Sequence, residues 1–121
     1  MQILVDTSVW IEFLSKKEPA MKNLLLENRV VIHPFVIGEI ACGSIKNRTQ
    51  ILNLLQSLQQ VQVSQHTEVL FLLKAHKLFS KGIGWVDLHL LSAALIAEIP
   101  LWTKDKKLQA ISKAHQIAHL K

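Results

Sequence analysis

Four acids in this chain sit where surface charge explains little: Asp6, Glu39, Asp87 and Asp105. Asp6 directly follows the apolar run of residues 1–5. Glu39 has Val36, Ile40 and Gly43 at i−3, i+1 and i+4, so on a helix it is expected to share a face with apolar or small residues and to point inward. An inward carboxylate is costly unless it is paired or holds a metal. Asp87 opens a segment whose Ser92-Ala93-Ala94 step permits close helix packing, and Asp105 lies two residues beyond the apolar stretch Leu101-Trp102-Thr103. Carboxylates brought together repel one another unless a hard cation neutralises them, and an all-oxygen donor set suits Mg²⁺ or Mn²⁺. Such an ion lowers the pKa of a bound water and offsets charge on a phosphate during its transfer.

Each acid also has a plainer reading. Asp6, Asp87 and Asp105 could all cap helices, because aspartate is a favoured N-cap and suits the positive end of a helix. Glu39 could pair with a buried lysine or arginine. It is the four acids together, around one expected sheet edge, that favour a metal site.

The elements that must position them follow from hydrophobic periodicity. Residues 1–5 read as a buried strand leaving the core at Asp6-Thr7-Ser8. Trp10, Phe13 and Leu14 have helical spacing, and Pro19 can open a second helix. Residues 29–32 read as a second strand, and Pro34 can start the helix carrying Glu39. An amphipathic helix is expected over 47–58, a weak strand over 61–63 and a long helix over 65–80. After the loop Lys81-Gly82-Ile83-Gly84 come a helix over 86–98, a short strand over 100–103, a helix over 104–115 and one more short strand near Ile117. Strands alternating with helices imply an α/β layer fold with a mainly parallel sheet, and ligands bind such sheets beyond the carboxyl ends of the strands. Asp6 and Asp105 are expected at that edge.

Composition narrows the classes. A chain of 121 residues, half of them apolar, is one ordinary domain with a real core. No apolar run is long enough for a membrane span, no secretory signal is visible, and Cys42 is the only cysteine, so a cytoplasmic protein is expected. The net charge of +5 is permissive for nucleic acid. Lys104, Lys106 and Lys107 flank Asp105 and could hold RNA phosphates, with a solvated helix face as the alternative. Trp10, Trp85 and Trp102 each stand near an acid and could stack on bases, but core packing is the better expectation for them. Cys42 reads as a small core residue, and His115 with His119 as a solvated helix end rather than a zinc clamp. Asp6-Thr7-Ser8 invites comparison with aspartyl phosphotransferases, but Ser8 occupies the place of the second aspartate that chemistry needs.

The segments Val5-Asp6-Thr7-Ser8-Val9-Trp10-Ile11, His33-Pro34-Phe35-Val36-Ile37-Gly38-Glu39-Ile40, Gly82-Ile83-Gly84-Trp85-Val86-Asp87-Leu88-His89 and Leu101-Trp102-Thr103-Lys104-Asp105 resemble, in order and spacing, the four acidic motifs of PIN-domain nucleases. The length and the Gly-Ile-Gly-Trp-Val-Asp segment look most like VapC toxins. The resemblance implies a single PIN domain over 1–121, with a parallel sheet of about five strands flanked by helices. It implies bound Mg²⁺ or Mn²⁺ and endoribonuclease activity on an RNA of the tRNA or rRNA class. Asp6, Glu39, Asp87 and Asp105 become the acidic quartet, Thr7 or Ser8 the hydroxyl after the first acid, and Thr103 an orienting group before the fourth. It also implies a homodimer and a VapB-type antitoxin, whose tail would lie over the second and fourth helices and reach the quartet with a basic residue. Excess apolar surface on residues 69–73 points to self-association as well. A PIN-like module that binds RNA or protein without cutting is the alternative.

Overall fold

The computed structural model describes residues 1–16 and 19–119. The elements run β1 (Ile3–Val5), α1 (Thr7–Lys16), α2 (Pro19–Leu26), β2 (Val30–Val31), α3 (Pro34–Cys42), α4 (Arg48–Ser57), α5 (His66–Ala75), α6 (Trp85–Ala97), β3 (Leu101–Trp102) and α7 (Lys106–Ala114). The strands form a parallel sheet in the order β2-β1-β3. Ile3 and Leu4 pair with Val30 and Val31 on one side, and Leu4 and Val5 pair with Leu101 and Trp102 on the other.

The expected sheet of about five strands is reduced to three among the described residues. The two outer segments are present but make only one parallel bridge each, Ile32 with Gln60 and Leu101 with Ala118. Their positions are those of fourth and fifth strands, one beyond β2 and one beyond β3. Exposed Gln60 and Gln62 and half-buried Ala118 leave little apolar surface to extend the pairing.

β1 is central and all three of its residues are fully buried, which is why it reads as a continuous apolar run with no alternation. Trp10 and Trp102 are the largest fully buried side chains, packing from α1 and β3. α6 buries every residue from Leu88 to Ala94, so the small residues Ser92, Ala93 and Ala94 let this helix lie close against the core. The long helix expected over 65–80 ends at Ala75, because Lys77 and Ser80 adopt φ of 52° and 62°, left-handed values that a right-handed helix cannot continue through. No helix among the described residues is long and apolar enough to cross a membrane.

Because the pairing is parallel, the three strands end on one edge of the sheet. From that edge the chain enters α1 at Thr7, α3 at Pro34 and α7 at Lys106. Three of the four acids are therefore delivered by one topological feature: Asp6 ends β1, Glu39 rides on the helix after β2, and Asp105 caps the helix after β3.

Candidate active site

Asp6 is the anchor. It is 5% exposed, and its carboxylate accepts from three protein donors. The Thr7 backbone N–H donates to Oδ1 at 2.7 Å, the Ser8 hydroxyl donates to Oδ2 at 2.8 Å and the Thr103 hydroxyl donates to Oδ2 at 2.6 Å. Its backbone carbonyl accepts the N–H groups of Val9 and Trp10, so it also begins α1. One residue thus starts the helix and presents an ordered carboxylate at the sheet edge.

Hydroxyls link Asp6 to two other acids. The Thr7 hydroxyl donates to Glu39 Oε1 at 2.6 Å, so Thr7 bridges the first and second acids through its N–H and its O–H. Thr103 is 1% exposed, and while donating to Asp6 it accepts from the Asp105 N–H at 3.1 Å. Ser8 repeats the pattern, accepting from the Lys104 N–H at 3.0 Å. Parallel pairing of Val5 with Trp102 places the next residues, Asp6 and Thr103, side by side.

Asp105 is the N-cap of α7, its Oδ1 accepting from the Leu108 N–H at 2.9 Å. Asp87 sits in the first turn of α6 and accepts from the Gly84 N–H at 3.2 Å, which returns the chain from the loop into the helix. The Asp87 carboxyl is held above the ordinary aspartate pKa, chiefly by burial; the Gly84 hydrogen bond opposes this, and the charges of Asp6, Asp105 and Glu39 add to it. The same three acids that the sequence grouped with Asp87 are the ones whose charge it feels.

Two expectations need correction. Glu39 is exposed and not inward: the buried stripe of α3 is Val36 and Ile40, one helical turn apart, and Glu39 lies a step of about 100° off that stripe. Its carboxylate opens into a cavity of about 700 Å³ between α1, α3 and α4, together with Ile11, Leu14, Ile40, Lys46 and Ile51. Cys42 is exposed and not a core residue, because α3 ends there and turns away from the sheet at Gly43.

Of the three lysines beside Asp105, Lys104 is ion-paired to Glu12 at 3.0 Å, while Lys106 and Lys107 are exposed at the start of α7. The Lys107 side chain lies over Gly82, whose φ of 76° and missing Cβ make room for it. This contact joins α7 to the loop before Asp87, a link that no periodicity in the sequence could signal. His115 packs on His76 and His119 on Trp102, and both are half-buried rather than parts of a solvated helix end.

Among the described residues, no three histidine, cysteine or acid side chains stand as a ready-made ion cage. The donor chemistry nonetheless fits a hard divalent cation. The four residues offer oxygen only, Glu39 and Asp105 are exposed, and Asp87 bears an electrostatic penalty that a cation would relieve. Such an ion would be held by Asp6, Glu39, Asp87 and Asp105.

Known proteins resemble this chain in sequence and in fold. The family model described as PIN domain matches residues 3–114. Ribonuclease VapC32 of Mycobacterium tuberculosis, found in two strains, is 48% identical over 109 residues, covering 89% of this chain and 88% of its own. The crystal structure of PAE2754 from Pyrobaculum aerophilum superposes with a TM-score of 0.71 at 17% identity, over 98% of this chain and 88% of that one, a likeness of fold. The matched segment holds all four acids, the hydroxyls that link them and the sheet edge that carries them, and the chain belongs to the PIN-domain family, on its VapC branch.

Proposed function

We propose that this protein is a cytoplasmic, metal-dependent endoribonuclease toxin, with residues 1–121 acting as one PIN unit. The observation that carries the reading is the hydroxyl linkage of the acids at the sheet edge: Thr7 bridges Asp6 to Glu39, and Thr103 bridges Asp6 to the backbone of Asp105. The charges of Asp6, Asp105 and Glu39 also act on Asp87, a grouping that suits a divalent cation. The reaction is hydrolysis of an RNA phosphodiester. When bound, Mg²⁺ or Mn²⁺ supplies an activated water and charge compensation at the phosphate.

The chain's own groups have distinct parts in this reading. Thr7, Ser8 and Thr103 fix the orientation of the Asp6 carboxylate through three hydrogen bonds. Thr7 holds Glu39 in register with Asp6, and Thr103 does the same for the backbone of Asp105. Lys106 and Lys107, at the positive end of α7, attract the phosphate backbone without reading sequence, and Lys104 braces the site through Glu12. An RNA of the tRNA or rRNA class is the expected substrate.

A VapB-type antitoxin is the proposed partner. The cavity between α1, α3 and α4 is lined by Ile11, Leu14, Ile40, Ile45 and Ile51, with Glu39 at its acidic side. Its lining suits an amphipathic segment with apolar anchors and a basic residue reaching Glu39, and α4, one of the two helices on the expected antitoxin path, forms one wall. Leu70 and Phe71 on α5 are 44% and 73% exposed, and this apolar face is the proposed homodimer contact. The deciding experiment is cleavage of a defined RNA with and without Mg²⁺ or Mn²⁺. Metal-dependent cleavage that vanishes in Asp6→Asn supports the nuclease, and RNA binding without cleavage at any metal concentration replaces it with a non-cutting module.

A further inference from the structure

The three tryptophans separate into two kinds. Trp10 and Trp102 are 0% and 1% exposed, and both are core. Trp85 is 38% exposed, although it is the first residue of α6 and lies only two residues before Asp87. Its indole, with an apolar body and a polar tip, is therefore partly open to solvent.

Its surroundings hold it still. The ring of His66, from the start of α5, approaches at 5.0 Å with a tilt of 52°. The ring of His89, one helical turn along α6, meets it at 4.9 Å and 82°. His89 in turn packs at 4.7 Å against Phe35 on α3, four residues before Glu39. Trp85 therefore ends a row of rings that runs across α6 to the helix carrying the second acid. At its other end the Asp87 carboxylate clasps the backbone of Gly84, the residue before Trp85. An aromatic side chain loses little freedom on binding when packing already fixes its rotamer.

We propose that Trp85 is the stacking platform for an unpaired base of the RNA, next to the phosphate held at the acidic site. The proposal rests on the ribonuclease reading above and adds a contact to the base, which the acids and lysines do not make. Every base has a π-face, so a platform of this kind grips single-stranded nucleotides with little sequence preference, while phosphate contacts set the register. A purely structural Trp85 would tie α5 to α6 and touch no RNA.

The test uses tryptophan fluorescence, because Trp85 is the exposed emitter and the other two are buried. The probe is a short single-stranded RNA in the presence of EDTA, compared with an abasic oligonucleotide of equal length and charge. The RNA is expected to quench the exposed emission on binding, while the abasic strand binds through phosphate and leaves it unchanged. Trp85→Ala should weaken RNA binding roughly 5- to 150-fold, the range that loss of a base stack produces, and leave affinity for the abasic strand as it was. Trp85→Phe should restore most of the RNA affinity. Equal quenching by the two strands, measured on the parent protein and so independent of how any variant folds, overturns the proposal. So does unchanged RNA affinity in a folded Trp85→Ala. Base-dependent quenching by a protein that never cleaves RNA would leave the platform standing and remove the nuclease reading; cleavage without base-dependent quenching would do the reverse.

Discussion

Thr103 Oγ1 donates a 2.6 Å hydrogen bond to Asp6 Oδ2, across a sequence separation of 97 residues and almost wholly out of solvent. The same oxygen accepts the N–H of Asp105. One hydroxyl therefore fixes the side chain of the first acid to the backbone of the fourth, at the edge where β1 and β3 end together. Thr103→Val keeps the shape and removes both bonds, leaving the Asp6 carboxylate and the Asp105 N–H each without the Thr103 hydroxyl as partner. Stability should fall by about 1–3 kcal/mol, and metal-dependent cleavage by tenfold or more. Thr103→Ser should recover both. Thermal melts run beside an RNA cleavage assay decide it, and a valine variant with full activity would remove Thr103 from the site.

The aspartates should respond differently to replacement by asparagine, and the hydrogen bonds say how. Asp105→Asn keeps the cap on Leu108, because asparagine and aspartate are comparable N-caps, so its melt should barely move. Asp87→Asn removes a carboxyl whose pKa is raised, and such a group subtracts stability wherever it is ionised; at neutral pH this variant should melt at the same temperature or higher. Asp6→Asn puts an amide NH₂ where three donors converge on one carboxylate and should cost about 1–3 kcal/mol. In the proposed metal site all three variants lose cleavage by orders of magnitude, with doubles little worse than singles. If the acids serve only as caps, Asp87→Asn and Asp105→Asn cleave RNA as the parent does.

Much of this arrangement was legible in the chain, and the illegible parts share a cause. Asp6 and Asp105 could be placed because each follows a buried apolar run directly, so strand ends and acids coincide. Pro19 and Pro34 marked helix starts correctly, since their fixed φ suits a first helical turn. Glu39 was misplaced because its apolar neighbours could be counted but the direction of the core could not; Val36 and Ile40 decide that direction only once α3 is docked. Trp85 looked like Trp10 and Trp102 for the same reason. The outer strands expected over 61–63 and near Ile117 reduce to single bridges one residue away, at Gln60 and Ala118, where polar or small residues carry too weak a pattern to fix the pairing.

His33 gives the fold an acid limit that is separable from the proposed chemistry. It is fully buried, its Nδ1 accepts from the Phe35 N–H at 2.9 Å, and its Nε2 has no hydrogen-bond partner. Burial first, and the neighbouring His89 second, lower its pKa from 6.5 to about 4. Above pH 6.5 the imidazole is neutral in both folded and unfolded chains and contributes no slope. Between there and about pH 4 only the unfolded chain takes the proton, so stability falls as pH drops, by on the order of 3 kcal/mol in all. His89, whose pKa is also lowered, acts in the same sense. His33→Asn retains an acceptor for Phe35 and removes the titration. Its denaturation free energy should be lower at neutral pH but flatter from pH 6.5 to 4; parallel curves for the two proteins would assign the acid sensitivity elsewhere.

The groove beside Glu39 allows inhibition and catalysis to be separated by one substitution. Ile11 is 54% exposed and lines the groove from α1, so it contributes little to the core, while an apolar anchor from the antitoxin would bury it. A lysine at this position places a charge in the apolar part of the groove and repels the basic residue proposed to approach Glu39. Such a change at the centre of an interface costs 2 kcal/mol or more, roughly 30-fold in affinity or greater. Ile11→Lys should therefore cleave RNA within about twofold of the parent, because its side chain makes no hydrogen bond to the acids or their hydroxyls, and it should resist neutralisation. In cells this means growth arrest that co-expression of the antitoxin relieves for the parent protein and fails to relieve for the variant. With purified proteins, titration of antitoxin into the cleavage reaction should shift to correspondingly higher concentration. Silencing of Ile11→Lys at the parent's antitoxin ratio would place the inhibitor on another face, and the exposed α5 surface around Leu70 and Phe71 would become the next to test.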